Sequence, residues 1–236
     1  KGFELPFGAH PHRGFETVTI IYNGDIEHKD SLGTSSIIRT GGIQWMTAGS
    51  GLIHAEVSSD KFKKEGGDLE ILQLWVNLPA KYKMTKPQYK GLQKDEITHF
   101  DLEDGKISVQ LISGSWNDHK GSFETISPLM MSTVYMKSGS AFTKNIPQEE
   151  NVFFYVVRGE VQIQGERIPY RNLIEFNNDG DSLTVKGSED AVILLGHAKP
   201  FNEPLVAQGP FVMNTQQEIM QAYQDYQAGK FGTWED

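Results

Sequence analysis

Cysteine is absent from the 236-residue chain, and positive charge is scarce, with 22 Lys and Arg against 31 Asp and Glu. Without thiols, disulfides are excluded and any metal ligand must be a nitrogen or oxygen donor. A nucleic-acid surface needs clustered basic residues, and the longest basic run is residues 61–64. No apolar run approaches the roughly 20 residues that span a bilayer. We therefore expect neither direct nucleic-acid binding nor a membrane partner.

The lack of cysteine also fits a reducing compartment, so we expect a cytoplasmic protein, or a nuclear one in a eukaryote. The chain begins with Lys1 rather than Met, and its first candidate ligand follows only nine residues later. We expect that part of the natural N-terminus precedes this sequence.

Glycine is abundant, with 24 residues, and it separates short segments rich in β-branched and aromatic residues. Residues 15–22 form one such segment, and Asn23-Gly24 after them is a strong hairpin signal. Residues 153–161 resemble residues 18–26, which indicates a weak internal repeat. The pattern predicts an all-β fold of antiparallel sandwiches or barrels, with a domain boundary in the polar stretch 114–121.

Three further segments carry predictions. The apolar residues 69–78 predict a strand that is buried on both faces. Residues 79–94 are basic and interrupted by proline, so they predict a surface loop. Thr215 and Glu218 match a capping box ahead of an apolar helical pattern that stops at Gly229, which predicts a short amphipathic C-terminal helix.

Histidine and glutamate recur at strand spacing in two places. His10, His12 and Glu16 share one parity and would project from one face if they lie on a single strand. His54 and Glu56 do the same some forty residues later. Together they offer enough neutral nitrogen and carboxylate oxygen donors for a divalent transition metal, with room for water or substrate. Spacing alone leaves open which glutamate is a ligand.

Other aromatic and histidine residues admit plainer readings. Phe7, Phe15 and Trp45 flank the two motifs and are candidate walls of a substrate pocket, although core packing explains each equally well. The remaining histidines lack partners at ligand spacing, and we expect surface or loop positions for them. They are His28, His99, His119 and His197.

Four long motifs resemble the pirin family, a branch of the cupin superfamily, and the resemblance spans nearly the whole chain. They are residues 10–19 (His-Pro-His-Arg-Gly-Phe-Glu-Thr-Val-Thr), 44–56 (Gln-Trp-Met-Thr-Ala-Gly-Ser-Gly-Leu-Ile-His-Ala-Glu), 72–81 (Leu-Gln-Leu-Trp-Val-Asn-Leu-Pro-Ala-Lys) and 209–214 (Gly-Pro-Phe-Val-Met-Asn). The resemblance implies a bicupin: two tandem cupin β-barrels, here residues 1–115 with metal and 116–236 without, and a short C-terminal helix.

The resemblance also implies a ligand set. Carried onto this chain, the pirin ligands are His10, His12, His54 and Glu56, and iron is the expected metal, with Mn, Ni, Co, Cu or Zn as alternatives. Glu16 then acts behind the ligands, orienting an imidazole or pairing strands. In the alternative assignment, Glu16 and Glu56 exchange these roles.

Two classes of function follow from the resemblance. The first is a dioxygenase that cleaves quercetin or a related aromatic enol with O2, with Glu56 as general base for the substrate hydroxyl. The alternative is a regulatory module that binds a protein partner according to the oxidation state of its metal. A metal-dependent isomerase or small-molecule sensor is a third reading, since one barrel fold hosts many chemistries.

Overall fold

The computed structural model describes residues 7–234, which form two compact units. The first unit contains residues 7–96 together with 202–234, and the second contains residues 97–201. Nearly all regular structure is antiparallel β, as expected. None of the described helices is both long and apolar enough to cross a membrane.

Two four-stranded sheets form the first unit, in the orders β1-β6-β3-β4 and β7-β2-β5-β8. A two-stranded ribbon, β21-β22, and two helices complete it. The strands are β1 Phe7–His12, β2 Phe15–Asn23, β3 Asp25–Asp30, β4 Ser35–Arg39, β5 Ile43–Thr47, β6 Leu52–Val57, β7 Glu70–Asn77, β8 Gln88–Leu92, β21 Val206–Gln208 and β22 Phe211–Met213, and the helices are α1 Asp60–Glu65 and α2 Gln216–Gln227; short 3-10 turns cover Ala80–Tyr82 and Lys94–Glu96.

The second unit has a six-stranded sheet, β18-β15-β20-β13-β10-β9, a four-stranded sheet, β14-β19-β16-β17, and a small ribbon, β11-β12. Its apolar core fills the space between the sheets and includes the fully buried Phe154 and Leu195. The strands are β9 Thr98–Leu102, β10 Ile107–Ser113, β11 Ser115–Trp116, β12 His119–Lys120, β13 Met130–Met136, β14 Ala141–Asn145, β15 Asn151–Arg158, β16 Glu160–Ile163, β17 Glu166–Pro169, β18 Leu173–Ile174, β19 Ser182–Gly187 and β20 Ala191–Ala198, with a 3-10 turn at Glu103–Gly105.

The C-terminal segment returns to the first unit. Thr215 caps α2, and its capping box with Glu218 is present as predicted. Ile219 on α2 packs with Phe211 of β22 and with Phe231 in a separate apolar cluster. Arg13, just after β1, donates to Asp225 of α2 at 2.8 Å, across 212 residues of sequence. The first unit is therefore closed by the far end of the chain.

These units differ from the division expected at residues 115 and 116. That boundary falls inside the second unit, in the β11-β12 ribbon, where Trp116 is buried in the core. The helix belongs to the first unit rather than to the second half of the sequence. The outer ends of the expected ranges, residues 1–6 and 235–236, lie outside the described residues.

Two segment predictions were wrong. Residues 79–94 are not a surface loop throughout, because β8 pairs with β5 and the side chain of Lys83 is buried. The strand at 69–78 is not buried on both faces, since Gln73 and Trp75 are exposed on one of them. The sequence indicated this exposed face, because a polar residue at 73 and an indole at 75 alternate with aliphatic side chains.

Candidate metal centre

Three imidazoles converge on one face of the first sheet. His10 pairs with His54 across β1 and β6, and His12 lies two residues further along β1, so alternation places all three on the same face. The Nε2 atom of His10 is 3.1 Å from Nε2 of His12 and 3.0 Å from Nε2 of His54. The three side chains thus direct their Nε2 atoms toward one point.

Backbone carbonyls fix the tautomers of two of these rings. Nδ1 of His10 donates to the Gly8 carbonyl at 2.7 Å, and Nδ1 of His12 donates to the Pro210 carbonyl at 3.3 Å. In a neutral imidazole the other nitrogen then carries a lone pair. Two Nε2 lone pairs facing each other at 3.1 Å repel, and a shared cation relieves that repulsion. The donor set of neutral imidazole nitrogens therefore fits a divalent transition metal.

Burial keeps the rings of His12 and His54 neutral. It lowers the pKa of His12 to about 3, with the neighbouring His10 imidazole acting in the same direction. Burial likewise lowers the pKa of His54 well below its ordinary value, and the nearby imidazoles add to that shift. Neutral imidazole is the form that binds metal, so His12 and His54 do not have to lose protons to accept one.

Glu56 lies on the same face of β6 as His54, and three side chains hold its carboxylate. Thr19 of β2 donates to Oε1 at 2.9 Å, and Gln44 of β5 donates to the same atom. Gln73 of β7 donates to Oε2. Because these donors come from the opposite sheet, they bind Glu56 across the interior between the two sheets.

His28 was expected at the surface or in a loop, and that expectation was wrong. His28 is fully buried on β3 and is opposite Glu56 in the register. Its Nε2 donates to Asp30 at 3.1 Å, and its ring stacks on Tyr89 with centroids 4.1 Å apart. Two groups of three possible ligands share His54, and within each group the ligand atoms lie within 4.8 Å of one another. The groups are His10, His12 and His54, and His28, His54 and Glu56.

The sequence held one indication of this position, because His28 and Asp30 are two residues apart and share a face on any strand. Asp30 is itself fixed by backbone N–H groups of Leu32 and Thr34 at 2.9 and 3.0 Å. The Nδ1 of His28 has no hydrogen-bond partner among the described residues. Burial raises the pKa of Tyr89 to about 12, so this ring also stays neutral.

Glu16 does not share the face of His10 and His12, because residues 10 to 16 do not form a single strand. The chain turns at Gly14, whose φ is +87°, and Glu16 lies on β2 in the other sheet. Glu16 is paired with Thr47, which donates to it at 2.6 Å, whereas Thr19 and Gln44 on the same strands face Glu56. Glu16 therefore lies on the face of its own sheet that points away from Glu56.

Burial raises the pKa of Glu16, although its hydrogen bonds with Thr47 and Trp45 oppose the shift. Trp45 pairs with Val18 in the register and shares the face of Glu16, so it is not placed beside the imidazoles. The aromatic residue that sequence reasoning missed is Trp75, half of whose side chain is exposed.

The other pocket candidates lie on the histidine side. Phe15 is buried, with its ring centroid 4.9 Å from that of His12 and 4.3 Å from that of Trp75. The Trp75 ring is itself 5.2 Å from His12. Phe7 is 43% exposed and is opposite Glu56 in the register. These aromatic side chains give the site one apolar wall.

The three remaining histidines lie in the second unit. His99 and His119 are exposed, as expected. His197 is mostly buried rather than at the surface, and its Nδ1 contacts Glu150 at 2.5 Å. None of the three belongs to a group of ligand atoms found among the described residues.

Comparison with known proteins agrees with this architecture. Residues 2–76 match the model of the pirin family, and residues 131–232 match that of the pirin C-terminal cupin domain. A pirin-like protein of Solanum lycopersicum is 40% identical over 230 residues, covering 96% of this chain and 77% of the relative. A putative quercetin 2,3-dioxygenase of Pseudomonas aeruginosa is 38% identical over 224 residues, covering 95% of this chain and 78% of the relative.

A solved structure shows the same fold. Quercetin 2,3-dioxygenase from Acinetobacter baumannii superposes with a TM-score of 0.94 at 38% identity, over 99% of this chain and 81% of that one. The expected all-β bicupin architecture with its short C-terminal helix is confirmed. The chain belongs to the pirin family.

Proposed function

We propose that this protein is a metal-dependent dioxygenase that cleaves quercetin-like aromatic enols with O2. The observation that carries the proposal is the convergence of three imidazole Nε2 atoms, with the tautomers of His10 and His12 fixed by backbone carbonyls. Quercetin 2,3-dioxygenase names among relatives at 38% identity support the reaction class.

In this proposal His10, His12, His54 and Glu56 hold one transition metal, iron as first choice. When bound, the metal would act as a Lewis acid toward an enolic oxygen and offer an open position for O2. The position of Glu16 on the opposite face of its sheet favours Glu56 as the carboxylate ligand.

Glu56 also serves as the general base. Its Oε1 already accepts hydrogen bonds from Thr19 and Gln44, while Oε2 accepts one from Gln73. Oε2 therefore retains one acceptor site, which can take a proton from a substrate hydroxyl when Glu56 is not holding the metal. The three donors hold the carboxylate in place while that proton moves.

An aromatic substrate suits the wall of the site. Trp75 is 49% exposed beside His12, and its Nε1 donates to Gln73 at 3.4 Å. An exposed, oriented indole can stack on a flat ring without first being uncovered. Phe15 behind it supports the indole from the protein interior.

The test is elemental analysis of the purified protein, followed by an oxygen-electrode assay with quercetin. His10→Ala and His54→Ala should lose both the metal and oxygen uptake. Glu16→Gln and His119→Ala are the matched controls, and both should keep the metal, since neither residue belongs to the ligand groups. Bound metal without turnover for any added Fe, Mn, Ni, Co or Cu would favour the regulatory module, and absence of metal would refute the metal centre.

A further inference from the structure

Lys83 is a buried ammonium that the proposed reaction does not use. Its side chain is 1% exposed, and its Nζ donates to three oxygens: the Gly14 carbonyl at 2.9 Å, the Asn77 amide at 2.7 Å and the Val212 carbonyl at 2.8 Å. These contacts use all three ammonium protons. All three acceptors are neutral, so no carboxylate of residues 7–234 is in direct contact with this buried charge.

The three acceptors belong to segments that are distant in sequence. Gly14 is the corner between β1, which carries His10 and His12, and β2. Asn77 ends β7 and pairs with Phe15. Val212 lies on β22, in the C-terminal return. One side chain therefore ties the metal-binding strand to β7 and to the return segment.

The return segment reaches His12 directly. The Pro210 carbonyl accepts from Nδ1 of His12 at 3.3 Å and from the Arg13 amide at 3.4 Å. Two residues later the Val212 amide donates to the Arg13 carbonyl at 3.1 Å. The position of the Pro210 carbonyl, which sets the tautomer and orientation of the His12 ring, thus depends on how this segment is held at Val212.

The backbone at the Gly14 corner is tightly packed against the return segment. A Cβ atom at Gly14 would lie 2.1 Å from the Val212 carbonyl oxygen, so the two backbones are already in contact. A buried ammonium is costly to desolvate, and hydrogen bonds to neutral oxygens offset only part of that cost. Burial lowers the pKa of Lys83 to about 8. What the ammonium provides in return is a fixed geometry among three chain segments.

We propose that Lys83 is a positioning residue of the metal centre, holding the β1 corner and the β22 return so that the Pro210 carbonyl orients His12. The inference rests on the proposed function, because it takes His12 as a ligand. Groups that orient ligands from behind typically change metal affinity by about 10- to 100-fold when removed.

The test compares Co²⁺ binding by the wild-type protein and Lys83→Met, using chelator competition for affinity and the visible d–d spectrum of bound Co²⁺ for ligand geometry. We expect Lys83→Met to keep its β-sheet circular dichroism, to bind Co²⁺ about 10- to 100-fold more weakly and to show shifted d–d bands. Lys81→Met is the matched control: this lysine is exposed on the same 3-10 turn region and should change neither quantity.

If Lys83→Met does not fold, Asn77→Ala removes one acceptor while retaining the ammonium, and it should weaken Co²⁺ binding and shift the d–d bands in the same direction, by less than the roughly 10- to 100-fold expected for Lys83→Met. A folded variant with wild-type affinity and spectrum would overturn the inference while leaving the proposed dioxygenase intact. Wild-type protein that binds Co²⁺ but never consumes oxygen would overturn the reaction and leave the positioning role standing. Wild-type protein that binds no metal would overturn both.

Discussion

The buried ammonium of Lys83 makes the stability of the protein depend on pH in an unusual direction. Folding lowers the pKa of Lys83 from about 10.5 to about 8 because burial disfavours the charged form. Between these two values the unfolded chain holds a proton that the folded protein has released. Stability therefore rises with pH through this window.

The magnitude follows from the two pKa values. Each tenfold change in proton affinity is worth about 1.4 kcal/mol, so the full rise is at most about 3 kcal/mol. Most of it, about 2.5 kcal/mol, is expected between pH 7 and pH 10. Burial also raises the pKa of Tyr89 and of Tyr135, which lowers stability above pH 10.

The assay is urea denaturation of chelator-treated wild-type and Lys83→Met proteins at pH 7 and pH 10, followed by tryptophan fluorescence. Metal is removed because its binding is itself pH-dependent. Both proteins keep the tyrosines, so the difference between their unfolding free energies isolates Lys83. That difference should shift by about 2.5 kcal/mol in favour of the wild type. A difference that stays constant with pH would refute the reasoning.

Three further predictions follow. Gly14→Ala should lower the unfolding free energy by about 2–4 kcal/mol in urea denaturation, because the alanine is strained at a left-handed φ and its Cβ clashes with the return segment. Gly33 has the same φ of +87° but nothing within 4 Å of a Cβ, so Gly33→Ala should lower the unfolding free energy by only about 1 kcal/mol. Asp225→Asn should cost about 2 kcal/mol at pH 7 by the same measurement. The Lys230 ammonium and the Arg13 guanidinium hold the pKa of the Asp225 carboxyl far below its usual range. The stabilisation by the ionised carboxyl is therefore present above about pH 4 and is lost as the pH falls further. Trp75→Ala should raise the KM for quercetin about tenfold with unchanged metal content, while the exposed Tyr170→Ala should leave it unchanged.

Each of these has a contradicting result. Equal losses in the two glycine variants would show that the close approach at the β1 corner is not limiting. A wild-type protein whose acid unfolding profile matches that of Asp225→Asn would show that the ion pair does not contribute. A lower metal content in Trp75→Ala would show that the indole supports the ligands rather than the substrate.

The sequence predicted those parts of the molecule that depend on local pattern. Alternation and glycine turns identified the β architecture, and the capping box located α2 to the residue. Parity also placed His10 with His12 and His54 with Glu56, because every second residue of a strand lies on the same face. Four long motifs indicated the pirin family, and the resemblance to that family implied two tandem cupin barrels.

What the sequence could not predict depends on which strand pairs with which. Glu16 satisfied the parity rule as well as Glu56 does, but the turn at Gly14 transferred it to another sheet. His28 joined the imidazoles because β3 lies beside β6. Lys83 looked like part of a basic loop, since nothing local reveals that its three acceptors come from residues 14, 77 and 212.

The closure of the first unit by the C-terminal return also sets an order of events during synthesis. Residues 97–201 carry their own core and need no later segment to complete it. The ring of His12, in contrast, gains its carbonyl partner only after Pro210 has been made, and Arg13 gains its carboxylate only with Asp225. Contacts of such long sequence separation form late. The proposed ligands His10 and His12 would thus be fixed last, so metal loading of the proposed site should follow the emergence of α2 from the ribosome.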